Sequence, residues 1–268
     1  MKKIINNPTD VVSEALMGMQ AAYPDKLVYT PKMEVISRKE KKTDKVAVIS
    51  GGGAGHEPLH AGFVGKGMLD AAISGNVFSS PSPDRIGSAI EQVSCGKGGL
   101  MVIKNYSGDI MNFGLSADLA EMDDIEVAQV IVKDDVAVPD REEGTGRRGI
   151  AGTVFVHKIA GAKAEQGASL AEGKAAAVAA AQMKNLDEVA GVAQKALDHI
   201  RTMGVAMTPC ILPAVGKPGF QIADDEIEIG MGIHGEQGVE TTKIKSAKEI
   251  AEILVGRILD DYDYSGSE

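Results

Sequence analysis

The sequence predicts an α/β protein: a layered sheet with helices on both faces, in two domains. Two observations carry that prediction. Short apolar runs, most of them rich in β-branched residues, recur at 46–49, 71–73, 100–103 and 127–132. Longer amphipathic segments, roughly 57–66, 84–93 and 109–122, lie between them. A continuous apolar run marks a strand covered on both sides, and an intervening helix supplies the cover.

Taken in order, the chain opens with a helix over about 10–19, where Val11, Val12, Ala15, Leu16 and Met19 fall at helical spacing. The alternation of strand and helix then occupies 45–132. From 146 to 203 the pattern is mostly helical. Ser169-x-x-Glu172 and Asn185-x-x-Glu188 each have the form of a capping box, and the small residues at 175–182 suit close helix packing. Strand character resumes at 205–212 and 226–233, and an amphipathic helix at 247–259 closes the pattern. A domain change is placed near residue 185. Residues 1–185 form an N-terminal α/β domain with glycine-rich loops, and 186–268 begin a second α/β domain.

Composition excludes several classes. The 268 residues are 44% hydrophobic and 25% charged, the balance of a globular chain rather than a disordered one. A net charge of −10 argues against a polyanionic partner, and 4% aromatics without Trp argue against a stacking platform, so no nucleic acid is expected. Cys95 and Cys210 cannot build a disulfide framework, which fits a reduced, cytoplasmic setting. No apolar stretch reaches the length of a bilayer span, and MKKIINNPTDVV turns polar where a signal core would stand. No membrane association is expected.

Glycine is the unusual residue, 32 of 268, clustered at strand ends. SGGGAGHEP at 50–58 follows the strand at 46–49 and reads as a glycine turn whose amides converge on a ligand. It is not a P-loop, because His56 and Glu57 stand where lysine and a hydroxyl residue are required. It is not a dinucleotide fingerprint either, since His56 or Pro58 occupies the last glycine position. A purely structural turn remains open. His56 to His60 spells HExxH, but Pro58 is tolerated only in a first turn, which puts His56 ahead of any helix and disfavours zinc; no metal ligand is assigned. His157 and His199 read as structural or solvated. His234 lies between Gly232 and Gly235 at a strand end, a loop with crowded backbone. Lys104 and Asp109 close another strand end in KNYSGD, where Asp109 suits proton transfer, a helix N-cap, or both.

SGGGAGHEP at 50–58, FSSPSPD at 78–84, KNYSGD at 104–109, DDVAV at 134–138, GRRG at 146–149, PAVGKP at 213–218 and GIHGE at 232–236 closely resemble the substrate-binding K subunits of dihydroxyacetone kinases. The resemblance runs the length of the chain, in order. It implies that His234 attacks the ketone carbonyl of dihydroxyacetone and holds it as a hemiaminal. His56 would hydrogen-bond the sugar, Asp109 would take the proton of the attacking hydroxyl, and Lys104 with the Gly53 backbone would fix substrate oxygens. It further implies a cytoplasmic homodimer with no cofactor on this chain. ADP and magnesium would sit on a separate L subunit, itself rephosphorylated by a phosphohistidine-bearing M subunit. Members of the family continue past the position of Glu268, so the second domain is expected to be cut short. A paralogous class, transcriptional co-activators that bind the sugar without transferring phosphate, shares the ligand residues and stands as the alternative. A nucleotide-binding oxidoreductase is disfavoured by the failed fingerprints.

Overall fold

The structure, a computed structural model, describes residues 3–41, 43–139, 146–166 and 175–266. Helix α1 (Val11–Ala22) precedes strands β1 (Leu27–Thr30), β2 (Val35–Arg38), β3 (Ala47–Ala54) and β4 (Ala71–Val77). Then come α2 (Pro83–Val93), β5 (Gly99–Lys104), α3 (Ser107–Met122), β6 (Val127–Val132), α4 (Thr153–Gln166) and α5 (Ala175–His199). A smaller set follows: β7 (Val205–Ala206), β8 (Glu226–Ile229), β9 (Glu240–Lys243) and α6 (Ala247–Asp261).

The six-stranded sheet has the order β1-β2-β4-β3-β5-β6. β3, β4, β5 and β6 run parallel, while β1 and β2 add an antiparallel edge. Side chains alternate across it. Leu100 and Val102 face a core completed by α1, α4 and α5 through Leu16, Val156, Ala160, Val189 and Ala193. Met101 and Ile103 face the opposite core, completed by Ile86 and Ile90 of α2 and Phe113 and Ala117 of α3. That two-sided burial is why these strands read as unbroken apolar runs. The expected layering is therefore observed.

Local differences have identifiable causes. The glycines at 51–53 are not a turn: β3 runs through them to Ala54, because β4 pairs with this stretch throughout. Residues 57–66 do not form a helix but a turn and a short 3-10 segment, Ala61–Phe63; Pro58, Gly62 and Gly65 cut the run. Asp109 is not an N-cap. α3 starts at Ser107 after Tyr106, which leaves Asp109 in the first turn. Asn185 opens no helix, since α5 passes through it, and Ser169 and Glu172 lie outside the described residues. The strand expected at 205–212 shrinks to Val205–Ala206. β1, β2 and β9 are strands that the apolar pattern did not signal. Residue 185, where the domain change was placed, lies inside α5, and Leu186 beyond it packs into the first core.

The smaller sheet, β7-β8-β9, is antiparallel. α6 carries a full capping box, in which Ser246 and Glu249 satisfy each other's backbone amides. Polar links join this part to the first. Arg147 and Arg201 both bind the Asp261 carboxylate at the end of α6. Arg148 donates to Asp135 at 2.7 Å and to the Gly230 carbonyl at 2.8 Å, anchoring the loop that carries His234. No helix among the described residues is long and apolar enough to cross a membrane.

Candidate functional site

The parallel strands all end on one edge of the sheet, where α/β proteins place their ligands. Behind β3 stands His56, behind β4 Phe78, behind β5 Tyr106 and Asp109, with Lys104 as the last residue of β5 itself. The loop after β8 brings His234 to the same place. Its ring lies 4.7 Å from that of His56, 5.4 Å from Phe78 and 4.6 Å from Tyr106, edge-on to all three. His56 in turn stacks flat on Phe78 at 4.8 Å.

Glu236 defines the chemistry of His234. Its Oε1 lies 2.9 Å from His234 Nδ1, and its Oε2 accepts from the His234 backbone amide at 2.9 Å. Burial would raise the carboxyl, but the hydrogen bonds from His234 outweigh it and hold Glu236 down at about 2. An ionised carboxylate can only accept, so the proton sits on Nδ1 and the lone pair on Nε2.

Beneath the rings lies a polar floor. Lys104 is fully buried, with its Nζ 2.5 Å from His60 Nε2. Burial lowers it to about 8, against the pull of Asp109 and Asp134. Asp109 is buried beside it. Burial raises its carboxyl, opposed by Lys104, a Ser80 hydrogen bond and His234. Burial also holds His56 neutral, at about 3, with the nearby His234 and Lys104 acting in the same direction. Gly52 makes room for the convergence: a Cβ there would sit 3.0 Å from Lys104 Nζ, 3.5 Å from His60 Nε2 and 3.6 Å from Asp109 Oδ2. Three buried polar atoms around this space have no protein partner: His56 Nε2, Tyr106 Oη and Asp109 Oδ1. Buried polar atoms left without a protein partner mark a place for a hydrogen-bonding ligand.

The structure thus gathers Gly53, His56, Lys104, Asp109 and His234 at one edge. Of the two readings open for His157 the structural one holds: it is fully buried, with its Nε2 3.0 Å from His60 Nδ1. His199 is exposed, its Nδ1 2.7 Å from the Lys195 carbonyl oxygen. The two histidines of the formal HExxH have different surroundings, His56 against Phe78 and His60 against Lys104. No group of three or more His, Cys, Asp or Glu side chains among the described residues is arranged to hold a metal. Glu236, Tyr106, Phe78 and Arg148 escaped assignment from the sequence. For Glu236 a signal existed, an acid two residues after a glycine-flanked histidine.

Fold and site together define an α/β protein whose strand ends gather buried polar groups beside a carboxylate-backed imidazole. The chain belongs to the Dak1 domain family, which matches it over residues 17–178 and 173–268. It is 47% identical over 267 residues to the "PTS-dependent dihydroxyacetone kinase, dihydroxyacetone-binding subunit DhaK" of Lactococcus lactis, covering all of this chain and 76% of that protein. The solved dihydroxyacetone kinase of C. freundii superposes with a TM-score of 0.85 at 37% identity, over 97% of this chain. This chain spans 45% of that kinase. The structure titled "Dihydroxyacetone kinase operon co-activator Dha-DhaQ" is also similar, with a TM-score of 0.82 at 35% identity, covering 95% of this chain and 73% of that one.

Proposed function

We propose that this chain is the substrate-binding subunit of a phosphoenolpyruvate-dependent dihydroxyacetone kinase, a phosphotransferase component that captures dihydroxyacetone on His234. The observation that carries the reading is the Glu236–His234 pair, which leaves Nε2 with a free lone pair near buried polar atoms that have no protein partner. Nε2 adds to the ketone carbon, the C=O π pair passes to the oxygen, and the Nδ1 proton, taken up by Glu236 and relayed through solvent, ends on that oxygen as a hydroxyl. The product is a neutral hemiaminal. Glycerol has no carbonyl and is not held, so bond formation supplies the selectivity.

With the ketone fixed, one terminal hydroxyl is directed at Asp109. Its buried carboxyl, raised above the ordinary range, is a better proton acceptor than an exposed one. His56 Nε2 and the Lys104 ammonium are placed to hydrogen-bond the remaining oxygens, with the Gly53 backbone beside them. Phosphate would arrive from a separate L subunit carrying ADP and magnesium, recharged by an M subunit, in the cytoplasm and with this chain as a homodimer. This chain then contributes position and a proton acceptor, and the transferring charge is met by cations on the partner.

The test is mass spectrometry under non-denaturing conditions with dihydroxyacetone, followed by a transfer assay with an added phosphorylated L subunit. The expected result is one sugar per chain, absent in His234→Ala, and transfer that is lost in Asp109→Asn while the adduct persists. Equal occupancy in wild type and His234→Ala overturns the capture. An adduct that never passes to phosphate in the wild type would favour a sugar-sensing role like that named for the similar co-activator.

A further inference from the structure

His60 takes no part in the capture or in the proton transfer, yet it is buried at the base of the site with a polar group at each ring nitrogen. Ser50 Oγ lies 3.1 Å from its Nδ1, His157 Nε2 lies 3.0 Å from the same nitrogen, and Lys104 Nζ lies 2.5 Å from its Nε2. The Ser50 hydroxyl has one proton, and that proton is donated to the Val102 carbonyl at 2.6 Å. Toward His60 the oxygen can therefore only accept. A proton on His60 Nδ1 satisfies that oxygen and leaves Nε2 as an acceptor aimed at Lys104.

We propose that His60 is a positioning residue: held as its Nδ1–H tautomer by Ser50, it takes one hydrogen bond from Lys104 and so aims the other N–H groups of that side chain toward the ligand space beside Gly52. The proposal deepens the reading above and rests on it for the identity of the ligand, but the geometry belongs to the free protein. Lysine is a poor directional donor because its ammonium rotates freely on a flexible stem. A fixed acceptor on one side removes that freedom, which is the supporting contact that an oriented site needs. Glycine at 52 leaves room for it, since a Cβ there would crowd Lys104 Nζ at 3.0 Å. The charged and titratable groups that act on Lys104 or His60 are Asp109 on α3, Asp134 beyond β6, His157 on α4 and His56 beyond β3.

Two measurements on the ligand-free protein test this, independently of whether dihydroxyacetone binds. In the wild type, imidazole nitrogen shifts should show His60 protonated on Nδ1 with Nε2 accepting; an Nε2–H tautomer overturns the proposal. Titration of Lys104 by its side-chain carbon resonance, assigned by its disappearance in Lys104→Met, provides the second. Asparagine at 60 keeps the inner donor but cannot reach Lys104, whereas glutamine places an acceptor where Nε2 stood. His60→Asn should lower the Lys104 midpoint by about one pH unit, because a buried ammonium loses an acceptor, and His60→Gln should restore it. An unchanged midpoint in His60→Asn, or equal shifts in both variants, refutes the positioning role. In the same variants, sugar affinity should fall about 10–100-fold for asparagine and recover for glutamine. Absence of sugar binding in the wild type itself would sink the ligand assignment and leave the Lys104 result standing.

Discussion

Glu236 shows how one carboxylate sets the reactivity of a neighbouring ring. Exchanging it for glutamine keeps the size and an acceptor but removes the charge that holds Nδ1 protonated and stabilises the ring as its Nε2 attacks. Glu236→Gln should therefore reduce capture of dihydroxyacetone about 10–100-fold without altering the fold. The fraction of adduct against sugar concentration, read by non-denaturing mass spectrometry, checks this, and an unaltered curve would mean that the carboxylate does not orient the ring. His234, His56, Lys104 and Asp109 could be singled out from the chain because each stands in an unusual local string. Glu236 and Tyr106 stand in the same strings. What distinguishes them is their aim, which no string records.

Among the elements, β3 carries the largest difference between pattern and structure. Its glycines look like a turn because glycine usually serves there, yet here it serves close approach. A Cβ on Gly53 would lie 2.6 Å from the Ser79 amide nitrogen and 2.9 Å from the Phe78 carbonyl carbon. The β4 loop is thus drawn against the strand, and Phe78 reaches the His56 ring. Gly53→Ala should cost about 1–3 kcal/mol of stability, because the opposing atoms are backbone and cannot rotate away. A urea midpoint equal to that of the wild type would contradict the packing. The failed helix at 57–66 has the same lesson: amphipathic spacing predicted it, but Pro58 and the glycines that follow divert the chain into a path that buries His60.

At the scale of the whole molecule, the site is made by burying imidazoles in their neutral form, which links stability to pH. Burial lowers His157 from 6.5 to about 3, with Lys104 acting in the same direction, and burial likewise holds His60 well below its ordinary value. In the unfolded chain these rings bind protons below 6.5, and in the folded chain they do not. The stability is therefore complete above 6.5 and drains away as pH falls below it, at about 1.4 kcal/mol per pH unit for each such ring, down to about 3 for His157. Urea unfolding at pH 7 and pH 5 should show the lower midpoint at pH 5. His157→Gln, which cannot take up that proton, should flatten the slope; an unchanged slope would show that His157 is not among the linked groups.

The linear chain determined the layered class, because strands buried on two faces must be apolar throughout, and it marked five candidate site residues through strings such as GIHGE and KNYSGD. Only the tertiary structure decided which of these residues meet, that β3 continues through its glycines, that His157 belongs beneath the site, and which carboxylate stands behind His234. The division has a physical cause. Burial on two faces and helical spacing are written in neighbouring residues, whereas a hydrogen bond between Lys104 and His60, or between Arg148 and the Gly230 carbonyl, joins parts of the chain that only packing brings together.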